Sequence, residues 1–389
     1  MDDIAAENAM NELHTLISDL VAIDSVNPDL VPGGAGEAQI ADYIANWGRA
    51  RQLDVIVQPT VSGRPNVILR APGSGGGKSL MLNAHTDTVG VAGMDAPFSS
   101  QIRGGRLYGR GAYDMKSGLA ACMLTLLAAQ SMQLRGDVLL SAVADEEYGS
   151  IGTEALLADW ARWQADAVLI AEPTALDIGI AHRGFVWLEF ETQGTAAHGS
   201  LPEQGVDAIA KMGKVLVELA ALDEKMRAEP THELLGSGSL HASMIQGGEE
   251  ISMYPALCKL LVERRTIPGE DAARVLAQAQ HILDGIAAAD SQFRASVQAI
   301  FSRPPYAIDA AHPLARQLQT VAAARLKRKP ALIGCPWWMD SALFAAAGLP
   351  TVVLGPAGAG AHAREEWVEL ESVAACQAIY TQFAAAFCA

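Results

Sequence analysis

Apolar positions along this chain follow two alternating rhythms. Leu13–Ile23 repeats at helical spacing, and Ser25-Val26-Asn27-Pro28 stops it, because a residue before proline disfavours the α region. Glu37–Arg51 again has apolar residues at helical spacing, and Asp54–Val57 and Pro65–Leu69 then read as strands. A short apolar run, Ser79–Asn83, reads as a buried strand that leads into His85-Thr86-Asp87. Met115–Gln130 predicts a long apolar helix, followed by strands over Val138–Val143 and Ala165–Ala171. Strands alternating with helices imply an α/β fold, with a mostly parallel sheet covered on both faces.

The rhythm changes near Ile180. Phe185–Thr192 alternates as a half-buried strand, and Gly205–Leu222 is a helix with Val206, Ile209, Met212, Leu216 and Leu219 on one side. Strands over Leu240–Gln246 and Leu257–Arg265, a helix over Asp271–Ile286 and a strand over Phe293–Phe301 complete a β-α-β-β-α-β order. That order is the split βαβ, ferredoxin-like pattern of a small α+β domain. Helix–strand alternation then resumes, with a helix over His312–Leu326, strands over Ala331–Ile333 and Pro350–Leu354, and a last helix over Glu369–Phe387. The small domain is therefore inserted: residues 181–302 interrupt a larger domain made of 1–180 and 303–389.

Composition narrows the function classes. At 389 residues with half of them hydrophobic, the chain can build a large core and is not expected to be disordered. A formal charge of −16 argues against nucleic acid as a partner, since phosphate binding needs basic patches. No apolar stretch suggests a membrane span, and the acidic start MDDIAAENAM is unlike a signal peptide. Five cysteines without a C-x-x-C pair suit reduced thiols and a cytoplasmic setting. The GKS at Gly77–Ser79 is not a phosphate loop, because Pro72 stands where the first glycine belongs and a strand follows.

Candidate chemistry gathers at the ends of the strands. In an open α/β sheet, ligands collect beyond the carboxyl ends of the strands, where His85, Glu146, Glu147 and Glu172 all fall. His85 and Asp87, two apart on extended chain, share a face, and a metal-bound imidazole commonly passes its second N–H to a carboxylate. Glu146-Glu147 follows a buried strand, where two unpaired charges are costly and a divalent cation relieves the crowding. Asp114 closes the Gly-rich turn GRGAYDM, and His362 lies in the Gly/Ala-rich GAGAHAREEW, where the backbone can approach a neighbour closely.

These segments, in this order, resemble the family of dinuclear zinc metallohydrolases that includes aminoacylase, acetylornithine deacetylase, succinyl-diaminopimelate desuccinylase and bacterial glutamate carboxypeptidase. The resemblance runs over nearly the whole length, through GEAQIADYI, RPNVIL, MLNAHTDTV, GRGAYDMKSG, DEEYGS, AEPT, AAHGSLP, the GG…YP…C…ERRTIPGE block and GPAGAGAHAREEW. It implies that Asp114 bridges two divalent ions, zinc by default with cobalt or manganese possible. His85 and Glu172 would complete one ion, Glu147 and His362 the other. It further implies a cis peptide after Asp114, Asp87 supporting His85, and Glu146 as general base on the bridging water. The inserted domain would be a lid and dimerisation domain, its His198 reaching the partner subunit's oxyanion.

The same resemblance makes the chain an amide hydrolase acting on an N-acyl amino acid or related carboxylate-bearing amide. A carboxypeptidase or dipeptidase, a decarbamoylase, and a non-catalytic binding protein are the alternatives. Arg265, in ERRTIPGE, matches an arginine associated with the substrate carboxylate, and Arg303, in SRPPY, is expected to assist it. Two departures bear on the substrate. Ser252 stands before Met253-Tyr254-Pro255 where many members carry Asn, and Trp337-Trp338-Met339-Asp340 replaces a common Thr-Asp. A wall of tryptophan favours a hydrophobic acyl or side-chain group and weakens the case for acetylornithine itself.

Overall fold

The computed structural model describes residues 2–60 and 63–389. It divides into two compact units, one of Met1–Ile180, Ile308–Ile333 and Leu343–Ala389, the other of Ala181–Ala307 and Gly334–Ala342.

The first unit is built on a mixed sheet. Its strands run in the order Asp54–Gln58, Asn66–Ala71, Val138–Val143, Leu80–His85, Ala167–Ile170, Thr351–Val353 and Ile178–His182. The middle is parallel: Leu80–His85 pairs in parallel with Val138–Val143 and with Ala167–Ile170, which pairs in parallel with Thr351–Val353. The margins are antiparallel, because Asp54–Gln58 and Asn66–Ala71 are joined by a short connection with no crossover helix. Central strands are buried on both faces, which is why they read as continuous apolar runs. Helices Ala38–Ala50, Ser117–Ser131 and Leu370–Phe387 cover the sheet, with Ile40, Ile44, Leu119, Leu126, Ile379 and Phe383 in one core with Leu69, Leu82 and Leu140.

Two elements of this unit differ from the sequence pattern. The helix expected over Leu13–Ile23 begins at Asp2, because the alanines and glutamates before Leu13 favour helix without an apolar stripe. A second, four-stranded antiparallel sheet joins Gln101–Arg103, Arg106–Tyr108, Trp367–Glu369 and Gly358–Ala359. Its strands of two or three residues are too short to show a period. This small sheet matters: the turn ending at Asp114 leaves one of its strands, and the loop carrying His362 joins two others.

The second unit has four antiparallel strands in the order Ser239–Gly247, Leu257–Thr266, Gly184–Gln193 and Arg294–Arg303. Helices Ala208–Ala228 and Ala272–Ala289 pack on the sheet through Met212, Val215, Leu219, Val275 and Leu283. Asp207 and Asp271 cap these helices by accepting from the amides of Ala210 and Arg274. The first helix is turned slightly from the expected face: Ala208, Met212, Val215 and Leu219 are buried, while Ile209 is exposed.

Candidate metal centre

Three parallel strands deliver acids and a histidine to one place. His85 is the last residue of its strand, Glu146 and Glu147 follow Val138–Val143, and Glu172 follows Ala167–Ile170. The small sheet adds Asp114 and His362. At Asp114 the helix is broken, with φ −118° and ψ 95°, and the peptide that follows is cis. His362 sits in the left-handed region at φ 62°, two residues after Gly360 at φ 85°, and its side chain is 56% exposed.

The two oxygens of Asp114 face different histidines. Oδ1 lies 3.1 Å from His85 Nε2, and Oδ2 lies 3.4 Å from His362 Nε2. His85 Nε2 is also 3.4 Å from Glu172, and His362 Nε2 is 3.1 Å from Glu147. Ligand atoms of His85, Glu146 and Glu172 lie within 4.8 Å of one another, as do those of His85, Asp114 and Glu147.

A cation fits this donor set. His85 Nδ1 is 2.9 Å from the main-chain carbonyl of Asp87, so the neutral ring donates there and turns a bare Nε2 toward two carboxylates. Lone pair would then face lone pair, and only a proton or a metal ion removes that repulsion. Mixed imidazole and carboxylate donors suit zinc, cobalt or manganese. In the metal-free protein protons take the part. Burial opposes a charge on His85, yet the carboxylates of Asp114 and Asp87 outweigh it and hold the ring well above its usual range. Burial alone would raise the Asp114 carboxyl, but His362 and His85 hold it well below the carboxylate range. Burial, then the charge of Asp114, pushes Glu147 up.

Behind the donors lies a buried polar frame that the sequence pattern does not disclose. The carboxylate of Asp87 stands 3.6 Å from the His85 ring and turns mainly to other donors. It accepts from Asn27 Nδ2 at 2.8 Å and from the amides of Glu146 and Glu147 at 3.1 and 3.2 Å. Asn27 also donates to Asp145, which Arg64 holds together with Glu37 and Asp29. On the other side, Glu366 accepts from the amides of Tyr113 and Asp114 and from Arg110. Asn27 shows in sequence only as a helix stop. Glu37, Arg64 and Glu366 stand in segments that carry the resemblance, without a pattern to assign them a partner.

The remaining sequence candidates belong to the second unit. His198 is exposed, its Nδ1 taking the Ser200 hydroxyl at 2.7 Å. Ser252 is exposed and donates to Glu250 at 2.8 Å. Arg265 donates to Glu263 at 2.6 Å and lies over the Phe185 ring. Arg303 lies over Phe301 and Trp338. Trp338 packs edge-on to Phe185 and His182, whereas Trp337 is 42% exposed.

The sequence profile of peptidase family M20/M25/M40 matches residues 81–386, a span that contains His85, Asp114, Glu146, Glu147, Glu172 and His362. The chain belongs to this family. It is accordingly a metal-dependent hydrolase of amide C–N bonds. Among curated relatives of this M20-family chain, acetylornithine deacetylase from Myxococcus xanthus is 27% identical over 97% of both chains. Among solved structures, aminopeptidase PepT from Bacillus cereus superposes with a TM-score of 0.77 at 19% identity, covering 96% of this chain and 97% of that one. An M20-family metallo-carboxypeptidase from Sulfolobus solfataricus gives 0.77 at 18% identity, covering 96% and 98%. These two show the α/β fold that this chain shares. No helix among the described residues is long and apolar enough to cross a membrane.

Proposed function

We propose that the chain removes the acyl group from an N-acyl amino acid, or from a similar small amide bearing a carboxylate, using two divalent cations. One observation carries the dinuclear reading: the two oxygens of Asp114 face two different imidazoles, each with a further carboxylate beside it. His85, Asp114 and Glu172 would hold one cation, and Asp114, Glu147 and His362 the other, with zinc the ion best matched to the donors. When bound, a pair of such ions supplies Lewis acidity that acidifies a water and screens the charge of a tetrahedral oxyanion. Glu146 takes the proton of the attacking water and returns it to the leaving nitrogen. Asp87 fixes the Glu146-Glu147 turn through both amides and, through its carbonyl, the tautomer of His85.

The second unit contributes substrate contacts in this reading. Arg265, with Arg303, would receive the substrate carboxylate, Ser252 would be a further substrate contact, and the Trp338 cluster would favour a bulky apolar group. The second unit also forms a homodimer, and His198 from another copy donates to the oxyanion. The relatives support this class while differing in the group cleaved: the curated one is a deacetylase, the structural ones an aminopeptidase and a carboxypeptidase. All five cysteines are buried and free, which supports a cytoplasmic setting.

A panel of N-acetyl, N-long-acyl and N-carbamoyl amino acids and dipeptides, offered to the zinc- or cobalt-loaded protein, tests the substrate reading. N-acyl amino acids are expected to turn over, bulky apolar acyl groups fastest. Turnover of dipeptides alone would make the chain a peptidase instead. For the dimer, mixing inactive His198→Ala with inactive Glu146→Ala is expected to restore activity in heterodimers. Absence of rescue after demonstrated subunit exchange would count against action of His198 across the interface.

Proton release gives an independent check on the cations. In the metal-free protein, Asp114 and then Glu147 hold the His362 imidazole up to about 10, against an ordinary 6.5. A cation binds only the neutral ring, so metal uptake near neutral pH must expel that proton. Calorimetric titration in buffers of different ionisation heat is expected to show this release, fading above pH about 10. The stabilisation from charged His362 is full below its ordinary 6.5 and is lost as pH rises through about 10. Stability of the metal-free protein should therefore fall across that interval. Metal uptake without proton release would show that the histidines are not ligands.

A further inference from the structure

We infer that Glu366 and Arg110 are positioning residues for the metal centre, together setting the distance between the turn that carries Asp114 and the loop that carries His362. The inference rests on the dinuclear reading above. Glu366 is 1% exposed and Arg110 is 3% exposed, so neither is a surface ion pair. One carboxylate oxygen of Glu366 accepts the amides of Tyr113 at 2.9 Å and Asp114 at 3.0 Å. The other accepts Arg110 Nη1 at 2.6 Å and the amide of Gly111 at 3.1 Å. Arg110 continues across the gap, donating from Nη2 to the carbonyl of Ala363 at 2.8 Å and from Nε to that of Gly90 at 3.2 Å.

The arrangement follows from local backbone. Gly111 is at φ 79° and Asp114 has non-helical angles, so amides in this turn lack the carbonyls that a regular helix would offer them. An ionised carboxylate is acceptor-only and satisfies several such donors at once. Glutamine at this position would present an amide NH2 to one of the two donor pairs whichever way it turned. Because Asp114 is shared by both ions, the backbone clamp on its amide bears on both. The Arg110 bond to Ala363 is adjacent to His362 and bears on one.

Cobalt titration of the metal-free protein, followed by calorimetry and by visible absorption, tests this without reference to turnover. Wild type is expected to take up two ions per chain. Glu366→Gln should weaken uptake of both by tenfold or more and alter the absorption bands of whatever cobalt remains. Arg110→Gln should weaken one site, and the band it loses should be the band that His362→Ala loses. In the zinc enzyme kcat should fall with KM little changed, since neither side chain is placed at the substrate. Glu366→Asp, which keeps the charge but is one methylene shorter, should restore part of the affinity. It also serves as the test variant if Glu366→Gln fails to fold. Wild-type affinities and spectra in folded Glu366→Gln and Arg110→Gln, or in Glu366→Asp where Glu366→Gln does not fold, would overturn the inference. Fewer than two ions in the wild type would instead overturn the dinuclear reading on which it rests.

Discussion

Replacement of Glu146 by glutamine is expected to lower kcat by about 10²–10⁴-fold, the range typical of a positioned acid–base group, with both cations retained. Its backbone is fixed, since its amide donates to Asp87 at 3.1 Å. Its carboxylate lies within 4.8 Å of the ligand atoms of His85 and Glu172, near enough to share a water with them. Glutamine keeps the shape and the polar contact but cannot accept the proton. Elemental analysis after dialysis should find wild-type metal content in the variant. Loss of an ion together with activity would mean that Glu146 is a ligand, and unchanged turnover would remove it from the chemistry altogether.

Arg64→Met is expected to destabilise the protein by about 3–5 kcal/mol, the usual result of removing one partner from a buried ion pair. Arg64 meets both oxygens of Glu37, donates to Asp145 at 2.8 Å and reaches Asp29 at 2.6 Å. The Glu37 and Asp145 side chains are 0% and 1% exposed, so water cannot replace the guanidinium. Burial already pushes both carboxyls up; Arg64 opposes it at Glu37, and Asn27 and then Arg64 oppose it at Asp145. Urea unfolding of the metal-free protein measures the loss. Arg70→Met is the control: its pair with Asp54 is 40% and 49% exposed and should contribute no more than about 1 kcal/mol. Equal effects of the two substitutions would mean that the Arg64 network is not what holds this region.

What the sequence discloses, and what it hides, divides along physical lines. Val138–Val143 is apolar but for Ser141 and is bounded by polar segments, and its strand has those same ends. His85, the Glu146-Glu147 pair and Glu172 are visible because chemistry in such sheets gathers where central strands end. The split βαβ order of the second unit is equally plain, since its strands alternate. The small sheet is not, because two- and three-residue strands carry no period. Without it nothing local explains why residues 114 and 362 should meet. The frame around the donors is hidden for another reason. Asn27 and Asp145 are 118 positions apart and Arg110 and Glu366 are 256 apart, and each residue type is ordinary where it stands. A hydrogen bond across such a distance leaves no mark on either neighbourhood.

The chain order of the donors also has a consequence for biosynthesis. His85, Asp114, Glu147 and Glu172 are all translated before the second unit begins at Ala181, whereas His362 and Glu366 come after it. Domains generally fold as units while the chain emerges from the ribosome, so the excursion through the second unit separates two stages of assembly. A nascent chain at the first stage holds the donors proposed for the Glu172 ion, but its sheet still lacks Thr351–Val353, which pairs with Ala167–Ile170. That same late segment brings the loop that carries His362. In that reading, completion of the sheet and delivery of His362 both await the emergence of the final forty or so residues.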